Sequence, residues 1–143
     1  MILITGSSGS VGKAVLQEAI RKKSKVRGMY RSREEAAKAP SGCEAVLADY
    51  ADKQSLRKAL DGVNSVYVVC SPIPQLVELE SNMVDACKES GVKHVVLNSA
   101  MGAGDYPKSF PGWHRKVEDK LKGTGLSYTI LRPNGFQIGR AHV

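Results

Sequence analysis

Short apolar runs alternate with longer stretches of helical period from one end of the chain to the other. Six runs predict strands, at residues 2–4, 26–30, 45–48, 66–69, 94–98 and 128–131. The stretches between them predict helices near 11–22, 34–39, 54–60, 75–90 and 113–122. In the first helix Val11, Val15 and Ala19 recur with Leu16 and Ile20 beside them, the spacing of an apolar face laid on a sheet. Strand, helix, strand repetition with right-handed crossovers builds an α/β fold, a doubly wound parallel sheet with helices on both faces. Loops follow the fourth and fifth strands, at Ser71-Pro72-Ile73-Pro74 and Gly102-Ala103-Gly104-Asp105-Tyr106-Pro107. They lie at the carboxyl edge, where such sheets bind ligands.

The turn after the first strand, Thr5-Gly6-Ser7-Ser8-Gly9-Ser10-Val11-Gly12, opens directly into the first helix. In that context it reads as a pyrophosphate cradle of Rossmann type. Gly6 permits the tight turn, Gly9 lets backbone approach a phosphate, and Gly12 lets helix and strand pack closely, while backbone N–H groups face the anion. The residues Gly6, Ser7, Ser8, Gly9, Ser10, Val11 and Gly12 are therefore candidate cofactor contacts, and a dinucleotide is the implied ligand. Gly12-Lys13 superficially resembles the end of a nucleoside-triphosphate loop. That pattern needs a glycine where Ser7 stands and a hydroxyl where Ala14 stands.

The chain has 143 residues, 42% of them hydrophobic, which suits one layered domain. Its net charge of +7 is spread in short local groups without an aromatic-interleaved stripe, so neither nucleic acid nor a membrane is expected as a partner. No run reaches the roughly 18–20 apolar residues of a membrane span, and no charged leader precedes the first strand, so a cytoplasmic location is expected. Cys43, Cys70 and Cys87 are widely spaced and read as buried small hydrophobes rather than metal ligands. No metal is expected.

Several residues at strand ends carry candidate chemistry. The second strand ends in Tyr30-Arg31-Ser32-Arg33, with Glu34 and Glu35 only beyond it. A guanidinium clamps a 2′-phosphate that a carboxylate would repel, so NADP(H) is favoured over NAD(H), with Arg31 as the contact and Arg33 in support. Asp49 and Tyr50 end the third strand, where Asp49 either meets the adenine edge or caps the next helix. Val69, Cys70 and Ser71 stand at the end of the fourth strand and are expected along the cofactor's ribose.

These motifs, with Ala86-Cys87-Lys88-Glu89-Ser90-Gly91-Val92-Lys93-His94-Val95-Val96, Trp113-His114-Arg115-Lys116-Val117-Glu118-Asp119-Lys120-Leu121 and Gly125-Leu126-Ser127-Tyr128-Thr129-Ile130-Leu131-Arg132-Pro133-Asn134-Gly135-Phe136, occur in order up to Gln137. The chain resembles the NmrA-like branch of the atypical short-chain dehydrogenase/reductases. That resemblance implies NADP(H) binding, in either an NAD(P)H:quinone reductase or a non-catalytic redox-sensing regulator that binds a protein partner. The Tyr-x-x-x-Lys pair of short-chain dehydrogenases becomes Phe110-x-x-x-His114 in the register set by Glu118. A phenyl ring transfers no proton, so alcohol oxidation by that pair is not expected. A quinone accepts hydride readily and asks only for positioning and a proton.

His114 is accordingly the candidate catalytic residue, the alternatives being a contact to the nicotinamide ribose or a histidine on the helix surface. Ser99 is a second candidate, or else a loop cap. Asn134 and Phe136 are candidate substrate neighbours, or else turn residues. The expected function is hydride transfer from NADPH to a quinone-type acceptor. Expected partners are that small molecule and, for the full-length parent, a second copy of itself. The chain stops soon after its sixth predicted strand, so it is expected to be an N-terminal fragment with the nucleotide-binding domain at 1–137. Residues 138–143, Ile138-Gly139-Arg140-Ala141-His142-Val143, match one reading frame of a common sequencing adapter and are expected to be a non-native read-through tail.

Overall fold

The structure, a computed structural model, describes residues 1–70, 73–99, 110–132 and 135–140, without the side chains of residues 110, 111 and 135–140. Its strands are β1 (Ile2–Ile4), β2 (Val26–Tyr30), β3 (Glu44–Leu47), β4 (Ser65–Val68), β5 (His94–Asn98), β6 (Ser127–Arg132) and β7 (Gly135–Arg140). Its helices are α1 (Ser10–Arg21), α2 (Arg33–Ala37), α3 (Lys53–Ala59), α4 (Leu76–Glu89) and α5 (Phe110–Lys122). The strands form one sheet in the order β3-β2-β1-β4-β5-β6-β7. Strands β1 to β6 run parallel, as the hydrophobic pattern predicts, and the fold is the Rossmann-type α/β sheet.

The pattern predicts six strands, and the sheet has a seventh. β7 turns back antiparallel on β6, pairing Arg132 with Gly135 and Ser127 with Arg140. It thereby supplies partners to the outer edge of β6, whose backbone groups would otherwise need water. Residues 138–140, on the far side of the predicted boundary at Gln137, belong to this strand.

Strand alternation sorts the apolar side chains into two layers. Leu3, Met29, Val66, Val68, Val95, Leu97 and Ile130 point to one face, where they meet α3, α4 and α5 through Leu56, Met83, Val84, Val117 and Leu121. Ile4, Val26, Tyr30 and Tyr67 point to the other, where α1 brings Leu16, Val15, Ala19 and Ile20 and α2 brings Ala36. Each fully buried aliphatic side chain contributes about 1.5–3 kcal/mol relative to exposure. The chain passes from one layer to the other between β3 and β4, at the topological switch point beside β1. There the carboxyl ends of β1 and β4 leave a crevice.

Two glycines set that crevice. Gly6 has φ +56°, and a Cβ there would meet Val69 Cγ1 at 2.9 Å. A Cβ on Gly12 would stand 2.1 Å from the Gly6 carbonyl oxygen and 2.7 Å from that of Thr5, so α1 sits on the end of β1 with no room between them. Helix propensity alone favours Ala over Gly by about 1 kcal/mol. Gly12→Ala is nevertheless expected to destabilise the fold, by about 3 kcal/mol or more because backbone cannot yield as a side chain does. Urea unfolding measures the sign: a gain in stability would mean that α1 does not rest on β1 as described.

Candidate functional site

A cavity of about 470 Å³ opens at the carboxyl edge of the sheet, lined by the glycine turn, Arg31, Asp49, Tyr50, Val69, Cys70, Asn98, Ser99 and His114 among others. Gly6, Ser8, Gly9, Ser10, Val11 and Gly12 all reach it. α1 begins with Gly9 at its N-cap, and no side chain caps it. Its first N–H groups and the positive end of its dipole are thus available to an anion. Ser7 does not line the cavity. Its hydroxyl donates to the Ile4 carbonyl at 2.7 Å and is buried, so it secures the turn from beneath.

The neighbouring wall is held by one threonine. Thr5 Oγ1 donates to the Tyr67 carbonyl at 2.9 Å and accepts from the Val69 N–H at 2.8 Å. The Tyr50 hydroxyl stands 2.7 Å from both Thr5 Oγ1 and the Val69 carbonyl. Burial, with Glu80 nearby, pushes the Tyr50 hydroxyl well above its usual pKa, so it stays a phenol and a donor.

At one end of the cavity Arg31 is exposed, while Arg33 begins α2 and does not line the space. Glu35 reaches back from the first turn of α2. Its carboxyl is held below the usual range first by a hydrogen bond from Ser8, then by Ser32 and by the charges of Arg31 and Lys38. Asp49 lies in the wall, and its Oδ1 accepts from the Ala51 N–H at 2.9 Å. The cap of α3 is Asp52, which accepts from Gln54 and Ser55 N–H groups, so the capping alternative for Asp49 does not apply.

At the other end, His114 is 3% exposed and faces the cavity from α5. It is not a helix-surface histidine. Burial lowers its pKa, which Glu118 partly opposes. Ser99 lines the cavity as well, and its N–H donates to the Leu131 carbonyl at 2.7 Å. The Ser99 hydroxyl donates to Glu118, whose carboxylate is gripped by Arg132 from Nη2 at 2.5 Å and Nε at 3.2 Å. With its proton committed, the Ser99 oxygen is an acceptor toward the cavity.

Cys70 and Cys43 are half-buried, and only Cys87 is the fully buried small hydrophobe expected of all three. Burial pushes the Cys87 thiol up to about 12. Ser71 and Asn134 lie outside the described residues, as does the side chain of Phe136. The loop residues 71–72 and 102–107 do also.

Sequence reasoning missed two buried acids. Glu118 served only to set a register, and Glu80 was not considered. Both are fully buried. Glu80 lies on α4 with Oε1 3.9 Å from His114 Nδ1, and neither of its oxygens has a hydrogen-bond partner among the described residues. Burial holds its carboxyl well above the usual range and lowers the imidazole beside it, so both shifts favour the uncharged forms. The available signal was position: Glu80 stands four residues from both Leu76 and Val84 on an apolar helix face.

The sequence model of an NAD(P)H-binding family matches residues 6–142. The chain belongs to that family. It is 32% identical over 141 residues to the NAD(P)H azoreductase of Xenophilus azovorans, covering 95% of this chain and 48% of that one. It is 31% identical over 140 residues to quinone oxidoreductase 2 of Escherichia coli strain K12, with 95% and 49% covered. The triphenylmethane reductase of Citrobacter sp., solved in complex with NADP(H), superposes with a TM-score of 0.85 at 28% identity, over 92% of this chain and 49% of that one. The chain spans about half the length of these relatives. They agree with the NmrA-like resemblance carried by the motifs, and with an oxidoreductase family that uses a nicotinamide cofactor. No helix among the described residues is long and apolar enough to cross a membrane.

Two stability predictions follow from the buried acids. Arg132→Met strips Glu118 of its counter-charge and is expected to cost about 3 kcal/mol, the lower end for breaking a buried pair because Arg132 is itself partly exposed. Restoring most of that loss with Glu118→Gln in the same chain checks the cause by denaturant titration. The folded-state pKa of Glu80 lies above its usual 4.5, so its contribution is full below that pH and is lost as pH rises toward the folded value. The folded-state pKa of His114 lies below its usual 6.5, so its contribution is lost as pH falls through 6.5. Glu80→Gln should therefore raise Tm at about pH 8 and give no gain at about pH 4. An equal effect at both pH values would refute the neutral-acid state.

Proposed function

We propose that this domain binds NADPH along the crevice and that the protein carrying it reduces a quinone-type acceptor. The observation that carries the reading is one cavity with an uncapped helix N-terminus and Arg31 at one end and His114 with Ser99 at the other. The residues present fit a dinucleotide: a Cβ on Gly9 would meet only the Gly6 carbonyl oxygen, at 3.4 Å, which leaves the cradle open above it. The backbone N–H groups of Ser10, Val11 and Gly12 at the start of α1 would hold the pyrophosphate and Arg31 the 2′-phosphate. Asp49 and Tyr50 would border the adenine end, and Val69 and Cys70 the ribose between.

When bound, the cofactor supplies hydride. The protein's part is to orient the acceptor, keep water out and provide a proton. His114 is the donor of that proton, from a ring that burial keeps near the neutral form. Ser99, an acceptor toward the cavity, orients a ligand N–H or O–H. An azo or dye acceptor would need the same two services, and the quinone is favoured by the quinone oxidoreductase relative.

NADPH oxidation followed at the nicotinamide absorbance, with a panel of small quinones, tests the reading. His114→Gln is expected to lower turnover by about 10²-fold while leaving NADPH affinity nearly unchanged. Arg31→Ala should weaken NADPH by about tenfold and leave NADH untouched, since one exposed charge-assisted contact is worth about 1.4 kcal/mol. Glu35→Gln should shift the preference further toward NADPH by removing a carboxylate beside Arg31. Tight NADPH binding without turnover on any acceptor would overturn the reductase reading.

A further inference from the structure

We infer that Glu80 is a positioning residue that holds a proton behind His114 and resupplies the imidazole from its Nδ1 side. The inference rests on the reductase reading, and it stands on geometry. Glu80 is fully buried on α4, shows no hydrogen-bond partner for either oxygen among the described residues, and faces His114 Nδ1 at 3.9 Å across the α4–α5 contact. A fully buried carboxyl so placed is costly as an ion and also costly as a structural element. A well-packed aliphatic side chain would serve the core better, so a role in the site accounts for a carboxyl at this position.

The titratable groups that the described residues bring to Glu80 are His114 from α5 and the Tyr50 hydroxyl from the segment after β3. Glu118 acts on His114 from one turn along α5, and Cys70, after β4, acts on Tyr50. Tyr50 remains a phenol, so its contribution at neutral pH is a dipole. Glu80 and His114 are left as the pair between which a proton moves.

The step balances. The acceptor takes hydride from the cofactor and becomes a hydroquinone anion. His114 gives its Nε2 proton to the anionic oxygen as the Glu80 O–H proton passes to Nδ1; a cavity water then protonates Nε2 while the Nδ1 proton returns to the Glu80 carboxylate, which restores the starting state. At 3.9 Å the transfer needs a small approach of the two groups or one bridging water. His114 never carries a net positive charge at rest, which suits a buried ring.

Two measurements test this on the whole protein. The first is the infrared spectrum at neutral pH, in which a protonated carboxyl C=O band that Glu80→Gln removes is expected. Absence of any such band in the unaltered protein overturns the proposal without recourse to a variant. The second is the pH profile of quinone reduction. Glu80→Gln should bind NADPH as before, reduce quinone about tenfold or more slowly, and lose the alkaline limb of the kcat profile. Glu80→Asp should recover part of the rate. If the unaltered protein reduces quinones and Glu80→Gln matches it in rate and profile, the proposal fails while the reductase reading stands. If the unaltered protein reduces none, both fail.

Discussion

The Thr5 hydroxyl ties the end of β1 to the end of β4. It gives its proton to the Tyr67 carbonyl and receives the Val69 N–H, while the Tyr50 hydroxyl closes the network from the segment after β3. Three chain segments thus meet at the point where the sheet changes direction. Gly6 turns immediately after Thr5, and Gly12 brings α1 down onto the Thr5 and Gly6 carbonyls. The crevice therefore has a rigid floor, with its polar groups satisfied from below and the uncapped start of α1 above. Buried polar groups that are fully paired specify one arrangement, because every alternative leaves a donor or acceptor stranded. Arg31, Asp49 and Val69 inherit their positions around the cavity from that junction.

The two buried glutamates show how one residue type takes opposite roles in one core. Glu118 has a guanidinium on both oxygens and a hydroxyl donor as well, so its charge is compensated where it is formed. It aligns Ser99 and stiffens the approach of α5 to β6. Glu80 has no such compensation among the described residues, and burial pushes its carboxyl well above the usual range, toward the protonated form. The first is an element of architecture that reaches the cavity through a serine; the second, among the described residues, has His114 and Tyr50 as its near ionisable neighbours. Tertiary packing decides both: Glu80 on α4 faces His114 on α5, whereas Glu118 on α5 faces Ser99 after β5 and Arg132 on β6.

Much of the fold was legible because its signals are local. Alternation placed Leu3, Val66 and Val95 on one face and Ile4 and Tyr67 on the other, and the helical period of Val15, Leu16, Ala19 and Ile20 gave α1 its buried side. Predicted element ends differ from the observed ones by a residue or two at most positions; α5 starts three residues early, at Phe110. β7 was not legible. Two glycines dilute its pattern, and the strand forms by pairing along the outer edge of β6, a partner that its own sequence does not announce. Of the described site residues, those read from the glycine turn and strand ends lie around one cavity, apart from Ser7, whose hydroxyl turns inward to Ile4, and Arg33, which begins α2.

The sequence by itself determined the layered α/β architecture, the glycine turn and the residues at the carboxyl ends of the strands, because each depends on side-chain size and backbone freedom within a few neighbouring positions. Only the tertiary structure decided that His114 is buried, that Ser99 has committed its proton to Glu118, and that Glu80 is buried behind the imidazole with its carboxyl shifted well above the usual range. Those properties are set by desolvation and by partners distant in the chain. A histidine or glutamate on a helix carries no mark of its own protonation state until a second helix has covered it.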